Sequence, residues 1–193
     1  GALGLVSGRK IDDLDRIFTP LMFPAVGLHG AEMRFADGAR IASPGGAMDA
    51  VRPPLAKFIA GRPGLRLEDK GAALAVHFRQ NPELASEVLE FLLKLTGESG
   101  LAVQEGKMVA EIKEARHDKG SGIAGLWATP PFSGRQPVVI GDDLTDESGF
   151  LFINTQGGVS VRVGPAGIAS DARYRLRDPA SVRAELHRLL TEG

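Results

Sequence analysis

A chain of 193 residues is long enough for one sizeable core, or for a core carrying a smaller inserted unit, and the absence of cysteine excludes disulfides, thiolate metal sites and cysteine nucleophiles. With 23 basic and 24 acidic residues the formal charge is −1, which argues against a nucleic-acid or anionic-membrane partner and for a small one. No apolar run approaches the roughly 18 residues that span a bilayer, and Gly1–Arg9 has no signal-peptide pattern, so a soluble, cytoplasmic protein is expected.

The chain opens on Ala2-Leu3-Gly4-Leu5-Val6, and Leu3–Val6 reads as a buried strand with nothing before it to form its neighbours; an upstream stretch is therefore expected. A helical pattern follows at Ile11–Phe18. From Ser43 to Glu114 the order becomes helix, strand, strand, helix, strand, strand: Ala47–Ala60, Leu65–Glu68, Ala73–Phe78, Pro82–Leu95, Leu101–Gln104 and Met108–Ile112. The last two flank Glu105-Gly106-Lys107, where glycine suits a short hairpin turn. Antiparallel hairpins inside a parallel-sheet protein predict an inserted domain, with Pro44-Gly45-Gly46 and Ala115–Lys119 as hinges. Beyond it come helical patterns at Ser121–Ala128, Asp146–Asn154 and Ala180–Leu190. Short apolar runs at Val138–Ile140 and Val159–Val163 suit strands buried on both faces. The expected limits are 1–42 and 115–193 for an α/β core and 43–114 for the insert.

Chemistry concentrates at strand ends. Pro137–Ile140 delivers Gly141-Asp142-Asp143-Leu144-Thr145-Asp146-Glu147 to the carboxyl end of a strand, where ligands bind in open α/β sheets. Carboxylates this close repel one another and favour a bound cation; magnesium takes oxygen ligands and commonly needs only one or two protein carboxylates. The same letters also suit a helix start, where acidic side chains satisfy backbone donors. Leu5-Val6-Ser7-Gly8-Arg9 is a second strand end, with a hydroxyl and free N–H groups able to hold a phosphate oxygen. A third segment, His117-Asp118-Lys119-Gly120, puts a lysine at a helix start.

Taken in order, the Ser-Gly-Arg strand end, the insert, Lys-Gly at a helix start and Gly-Asp-Asp-x-x-Asp resemble the second, third and fourth motifs of the haloacid dehalogenase superfamily of phosphatases. Ser7-Gly8-Arg9, His29-Gly30-Ala31-Glu32, Glu68-Asp69-Lys70, His77-Phe78-Arg79, Glu111, Asp118-Lys119-Gly120 and Gly141–Glu147 together look like the trehalose-phosphate phosphatase branch, from Leu3 to Leu190. The resemblance implies a Rossmann-like parallel-sheet core with an inserted α+β cap, helix-strand-strand repeated twice. It implies Mg²⁺-dependent hydrolysis of trehalose 6-phosphate through an aspartyl-phosphate. Ser7 would then bond the phosphoryl group and Lys119 neutralise it. Asp142, Asp143 and Asp146 would serve the metal, with Asp143 alternatively orienting Lys119. Arg9, Glu32, Glu68, Lys70, Arg79 and Glu111 would bind substrate.

In that family the nucleophile and its acid–base partner lie in an Asp-x-Asp-Gly-Thr motif after a first strand, and this sequence has none. Asp13-Leu14-Asp15 has similar letters, but it sits in a helical stretch with no apolar strand before it and no Gly-Thr after it, and is rejected. The nucleophile is expected upstream of Gly1, with the fragment itself inactive. Rival readings are another capped sugar-phosphate phosphatase, since the core handles only the phosphoryl group, and a non-catalytic sugar-phosphate-binding domain. His29 and His77 read as buried histidines bonded to backbone, His187 as solvent-facing, Trp127 as helix packing, and Thr145 and Glu147 as helix caps. A small-molecule sugar phosphate is the expected partner and a monomer the expected state.

Overall fold

The computed structural model describes residues 2–192; the outermost expected limits, Gly1 and Gly193, lie outside the described residues. Strand β1 (Leu5–Val6) lies parallel to β2 (Ala25–Gly27), which pairs antiparallel with β3 (Glu32–Arg34), itself paired with β4 (Arg40–Ala42). Sequence patterning missed β2, β3 and β4, because each is three residues long and β3 sets one methionine between two charges. Arg34 is buried nonetheless: its guanidinium makes a bidentate pair with Asp15 at 2.7 Å and two bonds to the Phe23 carbonyl. Asp15 belongs to α1 (Ile11–Phe18), so the pair pins helix to sheet beside the apolar contact of Ile11, Leu14 and Ala25.

The middle of the chain builds its own two layers. Helices α2 (Arg52–Ala60) and α3 (Ala85–Thr96) pack on an antiparallel sheet in which β5 (Arg66–Asp69), β6 (Ala73–His77), β8 (Val109–Glu114) and β7 (Leu101–Gly106) follow in that spatial order. Strand alternation explains the packing: Leu74, Val76, Ala110 and Ile112 meet Leu55, Phe58, Val88 and Leu92, leaving Ala73, Ala75, His77, Glu111 and Lys113 for the opposite face. Leu55, Leu74 and Leu92 are fully buried, and cutting any one to alanine costs about 2–5 kcal/mol. Two expectations shift here. The first helix starts at Arg52 rather than Ala47, because prolines occupy its first turn, and Gly46–Met48 forms a 3₁₀ turn instead. The hairpin reverses at Lys107-Met108, with Gly106 already paired to Val109 and Met108 at φ 62°.

Next come α4 (Lys119–Trp127), β9 (Val138–Gly141), α5 (Glu147–Thr155), β10 (Val159–Val163), β11 (Tyr174–Leu176) and α6 (Pro179–Glu192). β9, β10 and β11 form an all-parallel sheet. β11 went unread because basic residues flank and interrupt its apolar positions. Among the described residues no helix is long and apolar enough to cross a membrane.

Among the described residues β1 pairs only with β2 and β9 only with β10, and each has one edge without a strand partner. Between them lies an apolar slot of about 550 Å³, lined by Leu3, Val6, Leu126, Phe132, Val138 and Val139. Val138 is 59% and Ile140 39% exposed, although both are apolar strand residues.

Candidate active site

Three chain segments meet on one side of the α/β layers. β1 ends at Val6 and passes Ser7-Gly8-Arg9 into the turn before α1. The Ser7 N–H donates to the Val26 carbonyl at 2.9 Å, and its hydroxyl accepts from the Arg9 N–H at 3.1 Å. Asp118 caps α4 by accepting from the Ser121 N–H at 2.7 Å, which fixes Lys119 in the first turn. β9 ends at Gly141 and delivers Asp142, Asp143 and Asp146. All three segments line a cavity of about 670 Å³, whose other wall comes from the inserted sheet through Glu68, Lys70, His77, Gln104, Lys107 and Glu111. Small-molecule sites run roughly 300–1,000 Å³.

The three aspartates have separate environments. Asp146 accepts from the buried Lys119 ammonium at 2.6 Å and from the Asp143 N–H at 2.8 Å. Gly141 makes room for it, since a Cβ there would lie 2.3 Å from the Asp146 carboxyl carbon. Asp146, expected to serve the metal or to support the site through hydrogen bonds, pairs with Lys119; Asp143, expected as a metal ligand or as the group that orients Lys119, makes no bond to it among the described residues. Asp143 caps the turn that follows, accepting from the Leu144 N–H at 2.7 Å. Asp142 is exposed, lines the cavity and has no hydrogen bond or ion pair among the described residues.

No group of three or more histidine or acidic side chains among the described residues is placed to enclose a metal. A free Asp142 beside a half-engaged Asp143 nevertheless fits magnesium, which needs one or two carboxylates and completes its octahedron with water and phosphate. Glu147, expected as a helix cap, reaches sideways to Arg162 at 3.2 Å and accepts from Ser170 and the Asp171 N–H. Arg162, buried, also donates to the Asp143 carbonyl at 2.8 Å and so steadies the aspartate loop from behind.

On the opposite wall the strand register sets Glu68, Ala75, Glu111 and Gln104 in one row across the inserted sheet. The alanine leaves room between carboxylates. Lys70 donates to Glu111 at 2.7 Å and approaches the Gly8 carbonyl at 3.5 Å. His77 lies 2.6 Å from Glu68 through Nε2, so it bonds a carboxylate and not the backbone. Burial raises the Glu68 carboxyl, but the His77 hydrogen bond and the charges of Lys70, His77 and Arg66 outweigh it and hold it below its ordinary value.

Two expected residues lie elsewhere. Glu32 accepts from the Ile11 N–H at 2.9 Å and thereby caps α1. Arg79 follows Phe78, whose side chain is buried, and is itself exposed outside the cavity lining. Conversely, Lys10, Gln104 and Lys107 line the cavity and were not read from sequence; a lysine in a hairpin turn carries no local signal. His29 also departs from expectation. It is buried, yet its ring bonds no backbone: Nε2 lies 3.5 Å from the Gln104 amide, and Nδ1 has no partner among the described residues. Burial, then the charges of Lys119, Lys113 and Lys70, push its pKa down to about 4, so the ring is neutral near pH 7.

The trehalose-phosphatase family model matches residues 1–180. A probable trehalose-phosphate phosphatase of Sinorhizobium fredii is 43% identical over 176 residues, which cover 89% of this chain and 66% of that protein. The trehalose-6-phosphate phosphatase of Escherichia coli is 40% identical over 194 residues, covering 99% and 72%. The chain thus spans only part of the length of the curated relatives it matches. The C-terminal domain of the C. albicans trehalose-6-phosphate phosphatase matches with a TM-score of 0.77 at 22% identity, covering 98% of this chain and 78% of that one. The fold is accordingly of the haloacid dehalogenase type, a Rossmann-like core with an α+β addition. The chain belongs to the trehalose-phosphatase family.

Proposed function

We propose that the full-length protein hydrolyses trehalose 6-phosphate to trehalose and phosphate and requires Mg²⁺. The observation that carries this reading is one cavity with two unlike walls: hydroxyl, lysine and aspartates on the core side, a row of paired acidic and basic groups on the other. A phosphoryl group suits the first wall. Ser7 donates to a phosphoryl oxygen, and Lys119, held by Asp146, balances the charge that develops during transfer. Asp142 and Asp143 hold the metal, which when bound supplies further charge neutralisation at the phosphoryl oxygens. A disaccharide suits the second wall, because Glu68 and Glu111 accept from sugar hydroxyls while Lys70 donates to them. Arg9, also at the cavity, adds a cation near the phosphate.

In this reading residues 43–114 form a cap that closes about Pro44 and Ala115 and excludes water from the reacting group. The attacking aspartate belongs to an apolar strand seated in the slot between β1 and β9. Both flanking strands end on the site, at Ser7 and at Asp142, so a strand between them would bring its carboxylates to the same place. A cytoplasmic location is in keeping with a chain free of cysteine.

Phosphate release by the full-length protein from trehalose 6-phosphate, sucrose phosphate and glucose 6-phosphate, with and without Mg²⁺, tests the proposal. Trehalose 6-phosphate should be preferred and the metal required. Preference for another sugar phosphate overturns the substrate, and absence of turnover on all three with Mg²⁺ overturns the enzyme.

A further inference from the structure

We propose that His29 is a positioning residue that couples seating of the cap to the shape of the Ser7-Gly8-Arg9 turn, with Gln104 as its contact on the cap. The inference rests on the reading above, in which residues 43–114 close over a sugar-phosphate site, and adds the device that makes closure felt at the phosphate turn.

Leu28, His29 and Gly30 follow one another at φ 46°, 55° and 111°. Two successive residues with side chains in the left-handed region are uncommon and persist only where their surroundings hold them. Here the Leu28 N–H donates to the Arg9 carbonyl at 3.0 Å and the His29 N–H to the Ser7 carbonyl at 3.1 Å, so the strained segment grips both ends of the phosphate turn. Its imidazole then lies against Gly8, where an added Cβ would come within 2.2 Å of Nε2. Glycine at position 8 serves the ring, not a left-handed backbone, for its φ is not positive.

The cap reaches the same turn at two points. The Gln104 amide lies 3.5 Å from His29 Nε2, and the Lys70 ammonium lies 3.5 Å from the Gly8 carbonyl. Lys70 donates to Glu111, the register partner of Gln104 on the neighbouring strand, so both side chains ride on one sheet. They therefore move together. A separation of 3.5 Å is the outer limit of a hydrogen bond, so a small approach of the cap turns both contacts into full bonds.

With the Gln104 –NH₂ turned to it, Nε2 accepts in the neutral tautomer that carries its proton on Nδ1; with the amide oxygen turned to it, Nε2–H donates. Burial first, then the charges of Lys119, Lys113 and Lys70 against that of Asp143, keep the ring neutral. Distance and backbone strain thus converge on one contact between cap and phosphate turn.

A double-mutant cycle on the full-length protein decides it, using Gln104→Ala and His29→Asn, since asparagine tolerates the left-handed backbone. On whichever sugar phosphate the wild type turns over, each single change should lower kcat about tenfold with KM moved less than about threefold, and the double variant should fall no further than the worse single one. Additive losses, about a hundredfold in the double variant, overturn the coupling. So does a change confined to KM. Should His29→Asn fail to fold, Gln104→Ala alone decides through the same split between kcat and KM. Absence of wild-type turnover overturns the functional reading and the inference with it, whereas normal wild-type turnover with additive losses overturns the inference alone.

Discussion

At the scale of single residues the site depends on which carboxylates are already engaged. Asp146 and Lys119 are partly desolvated together, and removing either leaves the other as an uncompensated charge, at a cost of a few kcal/mol. Lys119→Met should therefore lower kcat by about 10²–10³ and also lower the melting temperature. Asp142 behaves differently because no hydrogen bond or ion pair among the described residues holds it. Asp142→Asn should leave the melting temperature without Mg²⁺ unchanged, yet abolish both Mg²⁺-dependent turnover and any rise in melting temperature on adding Mg²⁺. Full turnover in that variant contradicts the metal assignment. Gly141→Ala tests the same geometry from the backbone side. Its methyl group would push Asp146 off Lys119, so it should destabilise the fold by about 1–3 kcal/mol, as overpacking does, and reduce activity; an unchanged denaturation midpoint contradicts the close approach.

At the scale of elements the strained segment between β2 and β3 links stability to pH. His29 is depressed to about 4, first by burial, and His117 is lowered by burial as well. The unfolded chain takes up protons near pH 6.5 that the folded chain refuses, so stability present above that value is lost as pH falls toward 4. For His29 the loss reaches on the order of 3 kcal/mol by pH 4. His29→Asn should flatten the fall of urea midpoints between pH 7 and pH 4.5; an equally steep fall contradicts the buried neutral ring.

How far these elements could be read from the sequence depended on their length and periodicity. β9, β10 and the four strands of the insert carry apolar alternation or apolar runs and were expected close to where they lie. β2, β3 and β4 are too short to show a period, and buried Arg34 disguises β3 as surface. Within the site, Ser7, Lys119 and the aspartates were marked by local motifs at strand ends. The Lys119–Asp146 pair was not, since its partners are 27 residues apart and only the fold joins them. Glu32 and Arg79 fail to reach the cavity for a related reason: one caps a helix and the other follows a residue whose side chain is buried.

At the scale of the whole molecule two surfaces stand out. The slot between β1 and β9 presents two strand edges that are unpaired among the described residues, over an apolar floor, a combination that native sheets rarely leave open. If a further strand fills it, amide protons of β1 and β9 in the full-length protein should be among the slowest to exchange; rapid exchange along both strands contradicts the filled slot. The second surface is the polar face of the inserted sheet, which meets the aspartate loop across the cavity. Under the proposed function these walls divide the substrate, phosphoryl group on one and sugar on the other. A crystal structure of the full-length protein with Mg²⁺ and a non-hydrolysable analogue of trehalose 6-phosphate tests it most directly. The phosphoryl mimic should touch Ser7 and Lys119, the metal should touch Asp142, and the sugar hydroxyls should bond Glu68, Lys70 and Glu111. A sugar bound away from that row, or a metal without Asp142, would contradict it.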